Sequence, residues 1–351
     1  MCDMFFKYSV LRVAGVVLLL QCSFASSTPA VRPTVSGSVT LTEILQIPNV
    51  ANAENLAVRH NGEILVTSTK TTSLFQISPS KDKAPIQVAQ IPDAIGLLGI
   101  AELEQDVFYV VASSNLTGKA TALGANSVWK VDMRRFCTPA SGAIARPAQV
   151  SLVATILDAE LPNGMCRMAL NDTSNLLIAD SAAGTVIRLD VNTAAYEIVI
   201  RDPTMANLPT GFIQVAVDGI HVHGSDLFYT SLNQGLFAKI PISLTTGVAT
   251  GPAEVIVNEI FGDDFVLSKD GKRAWIAMNG QNALVEVDIP GKAARVIANS
   301  TFLSQDSSVA FGRTNLDRNS LYISGAGIFD NNSTVSASVV RADLPCGDAG
   351  L

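Results

Sequence analysis

The sequence predicts an all-β protein, a single six-bladed β-propeller whose ring is closed by an N-terminal strand. Three observations lead there. A small or polar start, an apolar strand, a Gly/Asn/Asp turn and a second apolar strand ending in small polar residues recur six times. The units are spaced by about 44 to 65 residues, close to the length of a propeller blade. The strands are short, rich in β-branched and aromatic residues and bounded by turn residues, and no stretch keeps a helical period for more than two turns. Such units cannot bury both faces alone and must stack radially; a β-sandwich is the rival arrangement.

The units follow in order along the chain. The first reads Glu54-Asn55-Leu56-Ala57-Val58, a turn at Asn61-Gly62, then Ile64-Leu65-Val66-Thr67-Ser68. The second begins at Gly99-Ile100 and returns through Val107-Phe108-Tyr109. The third runs from Asn163-Gly164-Met165 to Leu176-Leu177-Ile178-Ala179-Asp180, and the fourth from Asp218-Gly219-Ile220 to Leu227-Phe228-Tyr229. The fifth starts at Asp264-Phe265, turns at Asp270-Gly271 and returns through Ala274-Trp275-Ile276. The sixth runs from Ser308-Val309 to Leu321-Tyr322-Ile323. Third strands follow at 73–77, 185–189, 235–240 and 283–287. Residues 39–47 form an extra strand expected to lie beside 335–344, and 118–157 is expected to be an elaboration of blades two and three.

The N-terminus carries Lys7 and Arg12, then the apolar run Val13-Ala14-Gly15-Val16-Val17-Leu18-Leu19-Leu20, which is too short to span a bilayer. Small residues follow. This is the pattern of a secretory signal peptide cleaved after Ala25, with an uncleaved anchor as the alternative. Residues 1–25 are therefore expected to leave and 26–351 to form the propeller, secreted and with no membrane partner. Secretion fits sequons at Asn115, Asn171, Asn299, Asn331 and Asn332, of which the adjacent last pair is expected to carry one glycan, at Asn332. Cys137, Cys166 and Cys346 remain after cleavage, an odd number for an oxidising compartment. Cys137 and Cys346 lie in turn-like surroundings and are expected to pair; Cys166 lies in an apolar strand and is expected to be a buried thiol.

The chain has 24 Lys+Arg against 31 Asp+Glu, a net charge of −7, which argues against nucleic acid as a partner. Hydrophobic residues at 48% and charged residues at 16% exclude a disordered chain. The expected partners are small molecules, and the expected state is a monomer, with a dimer as the alternative.

In a propeller the innermost strand of each blade begins at one end of the central axis. Glu54, Asn163, Asp218, Asp264 and Ser308 hold that position, with Gly99 in blade two. The ends of the second strands return to the same rim at Lys70, Ser113, Asp180, Asn233 and Asn279. Converging oxygens of this kind suit a hard divalent cation or an oxygen-rich organic ligand. Each has a plain structural alternative: Asn163-Gly164 and Asp218-Gly219 are ordinary turn dipeptides, and Asp180 can accept backbone N–H bonds. His221 and His223 share a strand face like a metal pair, but His60 is the only other histidine, so packing or surface hydrogen bonding is expected. No Gly-x-Ser-x-Gly, His-Glu-x-x-His or nucleotide-binding glycine loop is present.

The stretch from Glu54 to Gly62, with Asn163-Gly164-Met165 and Asp218-Gly219-Ile220, resembles the senescence marker protein/gluconolactonase superfamily over nearly the whole mature chain. That resemblance implies a six-bladed propeller and, in many members, a divalent-metal lactonase. Glu54, Asn163 and Asp218 match its metal ligands by context, whereas the blade-two stretch Ile95-Gly96-Leu97-Leu98-Gly99-Ile100 lacks the usual Asn. The Glu54–Arg59 and Ala310–Thr314 blocks, the signal peptide and the sequons look most like a secreted fungal subgroup. That subgroup includes the hetero-Diels–Alderases of tropolonic sesquiterpenoid biosynthesis, which join a tropolone o-quinone methide to a humulene-type alkene. The resemblance implies a cofactor-independent pericyclase in a central pocket. Lys70 would donate a hydrogen bond, and Glu54, Asn163 and Asp218 would position polar groups. Leu97, Leu98 and Met165 would meet the terpene, with Asp180, Asn233, Asp264, Asn279 and Ser308 around them. The alternatives are a Ca, Mg or Zn-dependent lactonase or esterase on Glu54, Asn163 and Asp218, and a non-catalytic binding propeller.

Overall fold

A computed structural model of the chain describes residues 39–80, 83–114, 116, 126–139, 142–211, 213–326 and 336–345. The expected signal peptide, the sequons at Asn115, Asn331 and Asn332, and Cys346 lie outside these residues. The regular structure of the described residues is almost wholly β-strand. The first, β1 (Thr40–Ile47), is followed by β2 (Leu56–Val58), β3 (Ile64–Val66), β4 (Ser73–Ile77) and β5 (Ile86–Gln90), which form sheet one. Sheet two holds β6 (Gly96–Glu104), β7 (Val107–Ser113), β8 (Asn126–Asp132) and β9 (Gln149–Ile156). Sheet three holds β10 (Pro162–Arg167), β11 (Asn175–Asp180), β12 (Thr185–Asp190) and β13 (Tyr196–Arg201). Sheet four holds β14 (Val217–His223), β15 (Asp226–Ser231), β16 (Leu236–Pro241) and β17 (Glu254–Asn258). Sheet five holds β18 (Phe265–Leu267), β19 (Arg273–Met278), β20 (Ala283–Asp288) and β21 (Ala293–Asn299). Sheet six holds β22 (Ser308–Phe311), β23 (Ser320–Ala326) and β24 (Ala337–Asp343), and β1 pairs antiparallel with β24 as its fourth strand.

Each sheet is an antiparallel meander, and the six are blades of a β-propeller. The innermost strands β2, β6, β10, β14, β18 and β22 lie against one another in that order, and β22 returns to β2. Six apolar layers fill the seams. Leu65, Leu74 and Phe108 pack between blades one and two, and Tyr109, Ile178 and Leu189 between two and three. Tyr229 and Ile240 fill the next seam, Phe237 and Ile276 the fourth, and Trp275 and Ile323 the fifth. Ile47 and Tyr322 join blade six to blade one. A blade's second strand has neighbours on both faces, so it reads as a continuous apolar run, as in the fully buried β7. Outer strands such as β13 and β17 have exposed and buried positions mixed.

Of the 118–157 segment, the described residues belong to the second sheet, as β8 and β9 with their connection. Cys137 lies in that connection, in a bridge with Arg146, and Cys166 is buried in β10; neither is disulfide-bonded among the described residues. Asn171 and Asn299 are both exposed. Among the described residues no helix is long and apolar enough to cross a membrane.

Candidate active site

The innermost strands enter from one end of the axis, and their first residues bring a group of carboxyls together. In blades three and four the pairing register slips at this place, between Pro162 and Met165 and between Val217 and Ile220. These bulges re-aim the side chains at the strand start. Asn163-Gly164 and Asp218-Gly219 are therefore strand residues and not turns. Their glycines are required by close approach: a Cβ on Gly164 would sit 2.2 Å from the Asp218 carbonyl oxygen, and one on Gly219 would sit 2.3 Å from Asp264 Oδ1. With no side chain between them, successive inner strands meet backbone to backbone.

The hydrogen bonds divide the group in two. Asn163 Nδ2 donates to Asp218 Oδ1, which also accepts from Ser181 Oγ at 3.3 Å. Asp263 Oδ2 accepts from Asn279 Nδ2 at 2.7 Å, and the Asp218 carboxyl is hydrogen-bonded to Asp263. Asp264 is a separate hub. Its Oδ2 accepts from Asn55 Nδ2 at 3.1 Å and from Ser308 Oγ at 3.0 Å. Its Oδ1 accepts from the Phe265 N–H at 2.8 Å and lies 3.2 Å from His221 Nε2. One carboxylate thus ties blades one, four, five and six. Glu54 is fixed through its backbone, with its N–H on Thr67 O at 2.9 Å and its carbonyl accepting from Ser324 Oγ at 2.8 Å. Its carboxyl makes no hydrogen bond among the described residues.

Crowded, buried carboxyls hold their protons. Burial, then the charges of Asp263 and Asp264, hold Glu54 well above the usual carboxylate range, with Lys70 pulling it down. Burial, then Asp263, Glu54 and Asp264, do the same to Asp218, against the Ser181 hydrogen bond. Burial pushes Asp263 up to about 7, while the hydrogen bond from Asn279 lowers it, Asp264 raises it and the hydrogen bond from Asp218 lowers it. Asp306, fully buried, accepts from the Met278 N–H at 3.1 Å and is also raised, chiefly by burial.

Of the residues expected at the site, Glu54, Asn163, Asp218, Asp264, Asn279 and Ser308 fall in or beside this group, and Lys70 stands on an exposed turn within electrostatic reach of Glu54. Asp180 and Asn233 do other work. Asp180 accepts the N–H groups of Glu160, Leu161 and Ala183 at 2.8 to 3.1 Å. Asn233 accepts from Leu208 N–H at 2.7 Å and donates to Ile213 O at 2.5 Å, bracing the connection into blade four. Leu97 is fully buried in the seam between blades one and two, and Leu98 and Met165 are buried between two and three. The blade-two strand turns one leucine to each face, so all three pack in the seams. His221 meets Phe265 edge-on at 4.9 Å, and His223 Nε2 lies 3.1 Å from Lys269 O, so the two rings serve the contact with blade five. Asp263, Asn55 and Asp306 were not expected; the adjacent Asp263-Asp264 pair was the available signal for the first.

Oxygen donors of this kind are what a hard cation takes. As arranged, however, Asn163 turns its N–H toward Asp218, and Asp218 is engaged with Asp263. Among the described residues no three His, Cys, Asp or Glu side chains are grouped to hold a metal ion.

No family model matches the chain. A protein of Phoma sp, provisionally named a hetero-Diels-Alderase, is 26% identical over 330 residues, covering 85% of this chain and 89% of the relative. A second protein provisionally named so, from Sarocladium schorii, is 24% identical over 325 residues, covering 79% and 76%. By sequence, this chain is a relative of proteins named hetero-Diels–Alderases. Its fold matches a calcium-binding regucalcin of Agrobacterium tumefaciens with a TM-score of 0.57 at 15% identity, over 86% of this chain and 95% of that one. A structure assigned as a gluconolactonase gives 0.57 at 13% identity, over 88% and 93%.

Proposed function

We propose that the protein is a hetero-Diels–Alderase of fungal secondary metabolism that works without a cofactor. It would join a tropolone o-quinone methide to a humulene-type sesquiterpene at the carboxyl-bearing end of the axis. The observation that carries this reading is the sequence relationship to two proteins of that name over most of the chain. In such a reaction the exocyclic carbon and carbonyl oxygen of the quinone methide bond to the two alkene carbons. Two σ bonds replace two π bonds and nothing leaves. No nucleophile is needed; the catalyst must hold both partners in near-attack geometry and stabilise charge gathering on oxygen.

Several features support the choice of this end. Asn163 and the carboxyls of Glu54 and Asp218, whose proton affinities are raised, offer hydrogen bonds to a polar reactant, and Lys70 adds a cation at the rim. Apolar side chains stand exposed on connections that lead into the innermost strands there: Leu208, Phe261 and Phe302. They suit the terpene in place of Leu97, Leu98 and Met165.

The test is to generate an o-quinone methide in the presence of humulene, with purified protein, with and without chelator. The reading expects cycloadduct above the uncatalysed rate, in one stereochemical form, unchanged by chelation. Product at the background rate with no stereochemical bias overturns it. Activity abolished by chelation overturns the cofactor-free part.

A further inference from the structure

At the other end of the axis the charge reverses. Arg59, just past β2, donates from Nε and Nη2 to the two oxygens of Asp106, each at 2.9 Å, and both side chains are buried. Arg313, just past β22, donates from Nη1 to Glu102 Oε2 and to Val58 O, the latter at 2.9 Å. The other oxygen of Glu102 accepts the Asp106 N–H at 2.7 Å. Arg167, at the end of β10, reaches the same place. Its Nη2 donates to the carbonyls of Glu102, at 2.8 Å, and Leu103, and its Nη1 donates to Leu170 O at 2.6 Å.

The charges do not balance. Three guanidiniums share two carboxylates, and both carboxylates are committed, Asp106 to Arg59 and Glu102 to Arg313. Arg167 is half-buried, its partners are all carbonyls, and it has no ion pair among the described residues. The next carboxylate, Asp172, accepts from Ser174 and Asn175. A half-withdrawn cation beside a second cation is costly without a counter-charge. Donors also remain: Nε of Arg167, and Nε and Nη2 of Arg313, have no partner among the described residues. Two planar guanidiniums with free edges match an oxyanion.

We infer that Arg167 and Arg313 bind a small oxyanion, a carboxylate or phosphate group, at the end of the axis opposite the carboxyl cluster. The site is independent of the proposed chemistry. The experiment is calorimetric titration of the full-length protein with inorganic phosphate and, separately, with acetate, at constant ionic strength. Saturable binding is expected. It should weaken at least tenfold in Arg167→Gln, which removes the positive charge, and tighten several-fold in Glu102→Gln, which removes the competing charge. Saturation by both anions assigns the site to carboxylate and phosphate alike, and saturation by phosphate alone assigns it to phosphate groups. No saturable binding of either anion overturns the inference, as does equal binding in wild type and Arg167→Gln. Should Arg167→Gln fail to fold, unchanged or weaker binding in Glu102→Gln overturns it alone.

Discussion

The side-chain amide of Asn163 donates to the carboxyl of Asp218 across the seam between blades three and four. The contact depends on the residue between them in space. Gly164 brings its own strand so close that a Cβ would stand 2.2 Å from the Asp218 carbonyl oxygen. That oxygen is backbone and cannot swing away. Gly164→Ala should therefore force the two inner strands apart and destabilise the fold by about 3 kcal/mol, the upper part of the range for overpacking. Urea unfolding checks this; a loss under about 0.5 kcal/mol, the level of an ordinary surface change, would contradict the close approach.

Asp263 makes stability depend on pH. An aspartate in the unfolded chain titrates near pH ~3.9, whereas in the fold burial pushes Asp263 up to about 7. Between those values the folded state keeps the proton and the unfolded state does not, so stability falls as pH rises. The contribution is full below about pH 4 and lost on passing through about pH 7. Glu54, Asp218 and Asp306 are shifted in the same direction. Urea midpoints measured in chelator should decline from pH 4 to 7, and Asp263→Asn should decline less and exceed wild type at pH 8. Parallel curves for the two proteins would remove Asp263 as a source.

Lys70 is exposed, and its charge lowers the proton affinity of Glu54. Lys70→Ala should leave stability within about 0.5 kcal/mol, as for most surface changes. The cycloaddition rate and its stereoselectivity should both drop. Full rate with intact selectivity would take Lys70 out of the proposed chemistry.

The Arg59–Asp106 pair is buried on both sides, and removing one member strands the other. Asp106→Ala should cost about 3–5 kcal/mol. Replacing both, as Arg59→Met with Asp106→Leu, should cost clearly less than Asp106→Ala alone. A double variant as unstable as the single one would show that the pair contributes net attraction.

The innermost and second strands were legible because burial on both faces leaves continuous apolar runs between turns, as in β7 and β11. The fourth strands of blades one to five were not. In β5, β13 and β17 buried and exposed residues mix without strict alternation, since only part of one face meets a neighbour. At the site, Glu54, Asn163 and Asp218 were legible from their repeat position. Asp263 was hidden beside Asp264, because sequence alone does not say which of two adjacent carboxyls turns toward Asp218. Leu97 and Leu98 misled for a related reason: a bulge between Leu97 and Ile100 sends both leucines into the seams.

The most direct test of the account is the stereochemical outcome of the cycloaddition in three proteins: wild type, Glu54→Ala and Arg167→Gln. Chiral chromatography of the product of an o-quinone methide with humulene gives the ratio. The account predicts one dominant stereoisomer from wild type and Arg167→Gln, and an eroded ratio at reduced rate from Glu54→Ala. An unchanged ratio in Glu54→Ala, or a loss confined to Arg167→Gln, would contradict placing the reaction at the carboxyl-bearing end.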